Sequence, residues 1–155
     1  MDSLKAQGKQ VSSRILDLSW QPATEKIAKV LQLSPGATVL RFIRVAYVNE
    51  RPAMLASHWL NITQEQGRVL TPEVLMQIDV WDALEQRCGI FLSNGERILQ
   101  AVRANDEEAK ILELADGSPV MLSMLMLRDS RGQPVIHAKV AHPGELYKLH
   151  TLIDR

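Results

Sequence analysis

The sequence predicts an α+β domain: one antiparallel β-sheet built from a duplicated helix–hairpin unit, with helices packed on it. Three observations point there. First, a pattern returns. Ala28-Lys29-Val30-Leu31-Gln32-Leu33-Ser34-Pro35-Gly36 reappears 81 positions later as Ala109-Lys110-Ile111-Leu112-Glu113-Leu114-Ala115-Asp116-Gly117. Second, each copy is followed by an apolar, strand-forming run, a short polar turn and a proline: Thr38 to Val48 then Pro52, and Val120 to Leu127 then Pro134. Third, 155 residues with 46% hydrophobic and 23% charged side chains can bury one sizeable core. Two copies are too few for a solenoid, but they suit a single sheet made of two hairpins.

The elements follow in order. Val11 to Trp20 reads as a first strand, carrying Ile15, Leu16 and Leu18. Pro22-Ala23-Thr24-Glu25 opens a helix with Ile27, Val30 and Leu31 as its apolar stripe, and Ser34-Pro35-Gly36 ends it. Thr38 to Val48 is a long strand, Asn49-Glu50-Arg51 a turn, and Pro52 to Leu60 the returning partner. Ile62 to Val69 and Pro72 to Met76 are short, weakly marked helices. A clearer one starts at Asp79, a good N-cap, and runs to about Arg87 before Gly89 stops it. Ile90 to Ala104 holds one or two strands around Asn94-Gly95, a dipeptide that favours a tight turn. The second helix–hairpin copy completes the chain.

Composition excludes several classes of function. Eighteen basic and eighteen acidic residues leave no net charge, whereas phosphate-backbone binding needs a lysine and arginine excess. The segment is therefore not expected to hold DNA by itself. The lone Cys88 excludes an intrachain disulfide framework or thiolate cluster; it reads as a core or boundary residue more readily than as a working thiol. No run reaches the ~18 apolar residues of a membrane span, and Met1 to Ala6 has no apolar signal core. Cytoplasmic residence is expected. No phosphate loop, zinc-protease motif or nucleophile elbow occurs. His137 and His142 are five apart in a strand, face opposite sides and cannot share a metal, so no metal or cofactor is expected.

The first hairpin carries the most chemistry. Strand alternation puts Leu40, Phe42, Arg44 and Ala46 on one face. A turn centred on Glu50 sets Arg44 opposite Ala56 and Phe42 opposite His58. A cation, a titratable ring and the space left by two alanines are what a polar ligand pocket needs. The same residues also admit a plainer reading, with Arg44 in a surface salt bridge and His58 as a satisfied core histidine.

Taken in order, these marks resemble the UTRA domain, the effector-binding module of the HutC-type branch of GntR regulators, which has a chorismate lyase-like fold. The resemblance rests on Gly8 to Leu16, Pro22-Ala23, Leu31-x-Leu33-x-x-Gly36, Leu40 to Val45 with Pro52, and His58-Trp59-Leu60-Asn61. The second half adds Ala109 to Leu112, Gly117-Ser118-Pro119-Val120, Gly132-x-Pro134 and Pro143 to Leu149. It implies that residues 1–155 form one effector-binding domain of a bacterial transcription regulator or repressor. Residues 1–10 would then be a linker remnant, and the winged helix-turn-helix that contacts operator DNA would be absent from this chain. It further implies a homodimer whose DNA affinity responds to a small-molecule metabolite.

The family's ligand contacts carry over unevenly. Arg44 matches the first of two strand arginines; the second falls on Ala46 and a nearby acid on Ala56. A hydroxyl at a helix start falls on Asp79, which could cap its helix, face the pocket or do both. A strand acid falls on Gln100 and a closing aromatic on His142. Arg44, His58, Asp79, Gln100 and His142 are thus the candidate ligand-binding residues. One cation is a weak match for a sugar-phosphate dianion, so a smaller or less anionic metabolite is expected. Two rivals remain. One is a chorismate lyase-like, pyruvate-releasing enzyme, which would want a second arginine where Ala46 stands; the other is an interaction module without a ligand.

Overall fold

A computed structural model describes residues 8–152. Most of the expected linker, residues 1–10, lies outside the described residues. Six strands form one sheet: β1 (Val11–Pro22), β2 (Thr38–Val48), β3 (Arg51–Leu60), β4 (Leu92–Arg103), β5 (Pro119–Asp129) and β6 (Pro134–Pro143). Their spatial order is β1-β2-β3-β6-β5-β4, and every neighbouring pair is antiparallel. The helices are α1 (Glu25–Leu31), α2 (Gln64–Gly67), α3 (Pro72–Gln77), α4 (Val80–Cys88) and α5 (Asp106–Ile111), with a 3₁₀ turn at Gly144–Leu146.

The strand order is a palindrome because the repeat is larger than the helix–hairpin pattern. β1 begins and ends 81 positions before β4, so each half is strand–helix–hairpin. The likeness extends to irregularities. Gln32 and Glu113 both close their helices at φ 55°, and Leu33 and Leu114 both donate back to the alanine carbonyl five residues earlier at 2.8 Å. A bulge between Ala46 and Tyr47 recurs between Leu127 and Arg128. β3 and β6 join the halves. In that pair Ser57 faces Lys139, its own counterpart beyond the hairpin turns, so a pseudo-twofold axis passes through the two residues.

The first hairpin turn is tight because Asn49 and Glu50 both take positive φ, the twist that suits right-handed strands. The Asn94-Gly95 expectation fails. β4 is one continuous strand, and the register shift between Leu92 and Asn94 is a bulge rather than a turn. Glycine is required at 95 for another reason: a Cβ there would collide with the Met126 carbonyl of β5. The first helix also begins later than expected. β1 absorbs Pro22, and Thr24 caps α1 through a hydrogen bond from Ile27 N.

Helices cover both faces. On one, Ile27, Ala28 and Leu31 of α1 pack on Val39, while Ala109 and Leu112 of the α5 region pack with Val45, Leu55, Val120 and Ala141. On the other, the segment between the halves supplies Leu70, Leu75, Val80, Ala83 and Leu84, packed on Leu40, Phe42, Leu60 and Ile136. This inserted segment has no counterpart in the second half, so it covers the first half and leaves a hollow toward the second. No helix among the described residues is long and apolar enough to cross a membrane.

Candidate functional site

The hollow is a cavity of about 240 Å³ between the sheet and the start of α4. Strand register builds its floor in two rows. One row is Arg44, Ala56, Val140 and Ser123, from β2, β3, β6 and β5; the next is Phe42, His58, Ala138 and Leu125, continued by Arg97 of β4. The expected pairs Arg44–Ala56 and Phe42–His58 are both present. The two rows are related by the pseudo-twofold axis. Arg44 corresponds to Leu125, His58 to Val140, Phe42 to Ser123, and Ala56 to Ala138. Two alanines placed diagonally across the axis, Ala56 opposite Val140 and Ala138 opposite His58, make the space.

Arg44 is 7% exposed and His58 6%, so Arg44 is not at the surface and His58 lies in the core. Among the described residues Arg44 forms no ion pair. One of its terminal nitrogens donates to the Leu75 carbonyl at 3.0 Å, at the end of α3, while its buried Nε–H has no acceptor. His58 is not satisfied either: its buried Nδ1 has no partner. Its ring stacks on Phe42, with centroids 4.2 Å apart and planes 8° from parallel. Burial, then the Arg44 charge and that of His137, push the His58 pKa down to about 3. The imidazole is therefore neutral at physiological pH. Burial also pulls the Arg44 pKa below its ordinary value, and Asp79 works in the opposite direction. Leaving two buried polar groups unpaired costs stability, and such a cost is most readily understood where a ligand completes the bonds.

The rim is built around the same centre. Asp79 caps α4, its Oδ1 accepting from Trp81 N at 3.0 Å, and it also lines the cavity beside Val80 and Trp81. His142 lines the far end against Tyr147, with ring centroids 5.1 Å apart. Burial lowers its pKa, opposed by the Ala53 carbonyl. His137 points to the opposite face, where Nδ1 lies 3.1 Å from the Leu125 carbonyl and the ring stacks on Trp59.

Four of the five candidate residues thus surround one cavity, and Gln100 does not join them. It pairs with Leu122, whose side chain packs on the α5 side, whereas its neighbour Leu99 pairs with cavity-lining Ser123. Sequence reasoning missed Ala138, Ser123 and Arg97. Ala138 was visible as the counterpart of Ala56, but Arg97 was hidden by the expected turn at Asn94-Gly95. Cys88 lies outside the site. Its Sγ reaches the Gln66 carbonyl at 3.4 Å, and burial raises its pKa, keeping the thiol protonated.

A six-stranded antiparallel sheet with helices packed on it is the fold of solved effector domains of GntR-type regulators. The UTRA domain family model matches residues 6–148, and the chain belongs to that family. The chain is 27% identical to the HTH-type transcriptional repressor NagR of Bacillus subtilis (strain 168), over 99% of its own length and 62% of the relative's. It is also 27% identical to the histidine utilization repressor of Pseudomonas putida, over 96% of its own length and 58% of the relative's. Both relatives are named as repressors, and the chain spans about three-fifths of the length of each. The fold matches the effector domain of PhnF from Mycobacterium smegmatis with a TM-score of 0.85 at 19% identity, over 99% of this chain and 93% of that one.

Proposed function

We propose that this chain senses a small anionic metabolite in the cavity at Arg44, His58, Asp79 and His142. Occupancy then alters operator binding by a winged helix-turn-helix domain carried elsewhere in a cytoplasmic, homodimeric repressor. The observation that carries this reading is the pair of buried, unpartnered groups, Arg44 Nε and His58 Nδ1, on adjacent strands at the floor of one cavity. A ligand shifts an equilibrium by binding one state better than another, and Arg44 is placed to make that difference felt. Its guanidinium lies between the cavity and the end of α3.

The charge balance bears on the class of ligand. The lining carries Arg44 and Arg97 against Asp79, one formal positive charge in all, and His58 adds none. Arg97 sits at the exposed rim, where solvent screens it. A singly charged anion, such as a carboxylate, matches this lining; a sugar-phosphate dianion leaves charge unmatched. The volume lies below the ~300 Å³ at which pockets for drug-sized ligands begin. Binding rather than turnover is the reading favoured, because both curated relatives are repressors and His58, with a pKa near 3, is a poor proton donor or acceptor at neutral pH.

Calorimetric titration of the full-length protein with monocarboxylates and with sugar phosphates tests the reading. A monocarboxylate is expected to bind, and Arg44→Leu to weaken it by roughly 10- to 100-fold, the value of a charge-assisted hydrogen bond. Tm should hold or rise, since leucine already stands at the equivalent position 125. An unchanged Kd in the variant, or tight saturable binding of a sugar phosphate, would overturn it.

A further inference from the structure

Formal charges of both signs line the cavity, and none is paired with another. Arg44 is buried on the floor, Asp79 is exposed at the start of α4, and Arg97 is exposed at the rim on β4. Among the described residues no ion pair joins Asp79 to either arginine. Opposite charges that face one partly enclosed hollow attract unless something holds them apart. Here the fold does so. Arg44 is tied to the Leu75 carbonyl at 3.0 Å, and Asp79 Oδ1 to the Trp81 amide at 3.0 Å. The cap leaves the second carboxylate oxygen of Asp79 unused. Asp79 still acts on Arg44 across the gap, its charge opposing the burial that lowers the arginine's pKa. Strand spacing sets the scale of the site. From Arg44 on β2 to Arg97 on β4 the sheet crosses β3, β6 and β5, roughly 19 Å between backbones at ~4.8 Å per step. Two arginine side chains facing the same hollow shorten that span to the length of a small molecule.

We infer that the metabolite is an amino dicarboxylate of the acidic amino-acid class, with one carboxylate on Arg44, the second on Arg97 and the ammonium on Asp79. This rests on the anion-sensing reading above and specifies it. Such a ligand carries one net negative charge, equal and opposite to that of the lining. Each of its charged groups meets a group of the opposite sign. A simple carboxylate leaves Asp79 and Arg97 unanswered, and a sugar phosphate has no cation to offer Asp79. The buried end of the site favours a carboxylate over an ammonium, because Arg44 is its only charge there and His58 is neutral. Leu125 and Val140 then lie beneath the short aliphatic chain. Complementary charge of this kind discriminates between ligands of similar size more sharply than buried area does.

Calorimetric titration of the full-length protein with probes of equal chain length tests this inference: L-glutamate, glutarate without the ammonium, L-norvaline without the second carboxylate, and pentanoate without either. L-Glutamate is expected to bind tightest, by about 5-fold over glutarate and over L-norvaline, the upper range for an exposed charge pair. Asp79→Asn keeps a good N-cap and removes only the charge. It should weaken L-glutamate by about 5-fold yet leave glutarate unchanged or tighter, because the repulsion between Asp79 and a dianion is gone. Arg97→Gln should weaken L-glutamate and glutarate but not L-norvaline. A loss shared by every probe in Asp79→Asn would make Asp79 a structural cap only and overturn the inference. Glutarate or L-norvaline binding as tightly as L-glutamate would overturn it too. Pentanoate binding with no gain from either added group would overturn this inference alone and leave the carboxylate reading standing. No binding by any of the probes would overturn both.

Discussion

The two halves of the sheet share strands, caps and bulges, and yet at the cavity they present opposite chemistry. The first half contributes Arg44, His58 and Phe42; the second offers Leu125, Val140 and Ser123 at the equivalent positions. Both contribute an alanine, Ala56 and Ala138. The common backbone makes the hollow and the differing side chains make it asymmetric. Among these floor positions one side is charged and aromatic, and the other is apolar with a single hydroxyl, while Arg97, His142 and Tyr147 of the second half stand at the edges of the cavity. A symmetric floor would hold two buried arginines about one axis with no counter-charge, which desolvation and repulsion both oppose. Dividing the roles leaves one buried cation on the floor and a direction along which a polar ligand can lie, with Arg97 and Asp79 also in the lining.

The largest break in this comparison comes from Phe42 and Ser123. Phe42 is fully buried in the core beneath His58, whereas Ser123 is a small side chain at 8% exposure. Phe42→Ala should cost about 3–5 kcal/mol, the transfer and cavity penalty of a buried aromatic. Ser123→Ala should change stability by less than about 1 kcal/mol, since no protein partner is lost. Urea unfolding of both variants reads the difference. Equal costs would mean that the halves bear the core alike.

His58 and Val140 separate the halves by pH. The folded-state pKa of His58 is held at about 3, below the ~6.5 of an unfolded chain, so the unfolded chain takes up a proton that the native state refuses. Stability from this group is complete above pH 6.5 and is lost as pH falls toward 3. The slope reaches up to about 1.4 kcal/mol per pH unit. His137 and His142, whose pKa values burial also lowers, act in the same direction. His58→Val copies the second half into the first and should flatten the slope between pH 6 and 4, as followed by urea midpoints. A slope as steep as wild type would assign the acid sensitivity to the other two histidines.

Much of this asymmetry was legible in the sequence, and the missing part has a physical cause. Alternation and a tight turn fix hairpin register, so Arg44 opposite Ala56 and Phe42 opposite His58 could be written down at once. The repeat was legible where helix and hairpin residues recur, but β1 and β4 are edge strands with different neighbours and little residue likeness. Hence the larger unit went unseen. At β4 the signal misled. Asn-Gly favours a turn in isolation, yet Gly95 serves close approach to the Met126 carbonyl. The one-residue bulge beside it sets which face each later side chain takes. That is why Arg97 reaches the cavity and Gln100 turns away. The unpartnered state of Arg44 Nε and His58 Nδ1 depends on tertiary packing and has no sequence signature.

The smallest expected effect lies on the axis itself, on the face away from the cavity, where Ser57 meets Lys139. Lys139 Nζ donates to Glu108 Oε1 at 2.9 Å, an ion pair confined to the second half, since Ile27 holds the place of Glu108 in the first. The Glu108 side chain is 9% exposed and that of Lys139 is 40% exposed, so water screens the pair from the lysine side. Glu108 keeps a further bond in Lys139→Ser, because its Oε2 accepts from Asn105 N at 3.0 Å in the capping box of α5. A buried pair stripped of one partner loses several kcal/mol, whereas a screened one loses much less. Lys139→Ser, which makes the second half like the first, should therefore cost about 0.5–1 kcal/mol by urea unfolding, and high salt should shrink that cost. A loss of several kcal/mol, insensitive to salt, would show that the duplicated scaffold relies on this one unshared contact to hold α5 on the sheet.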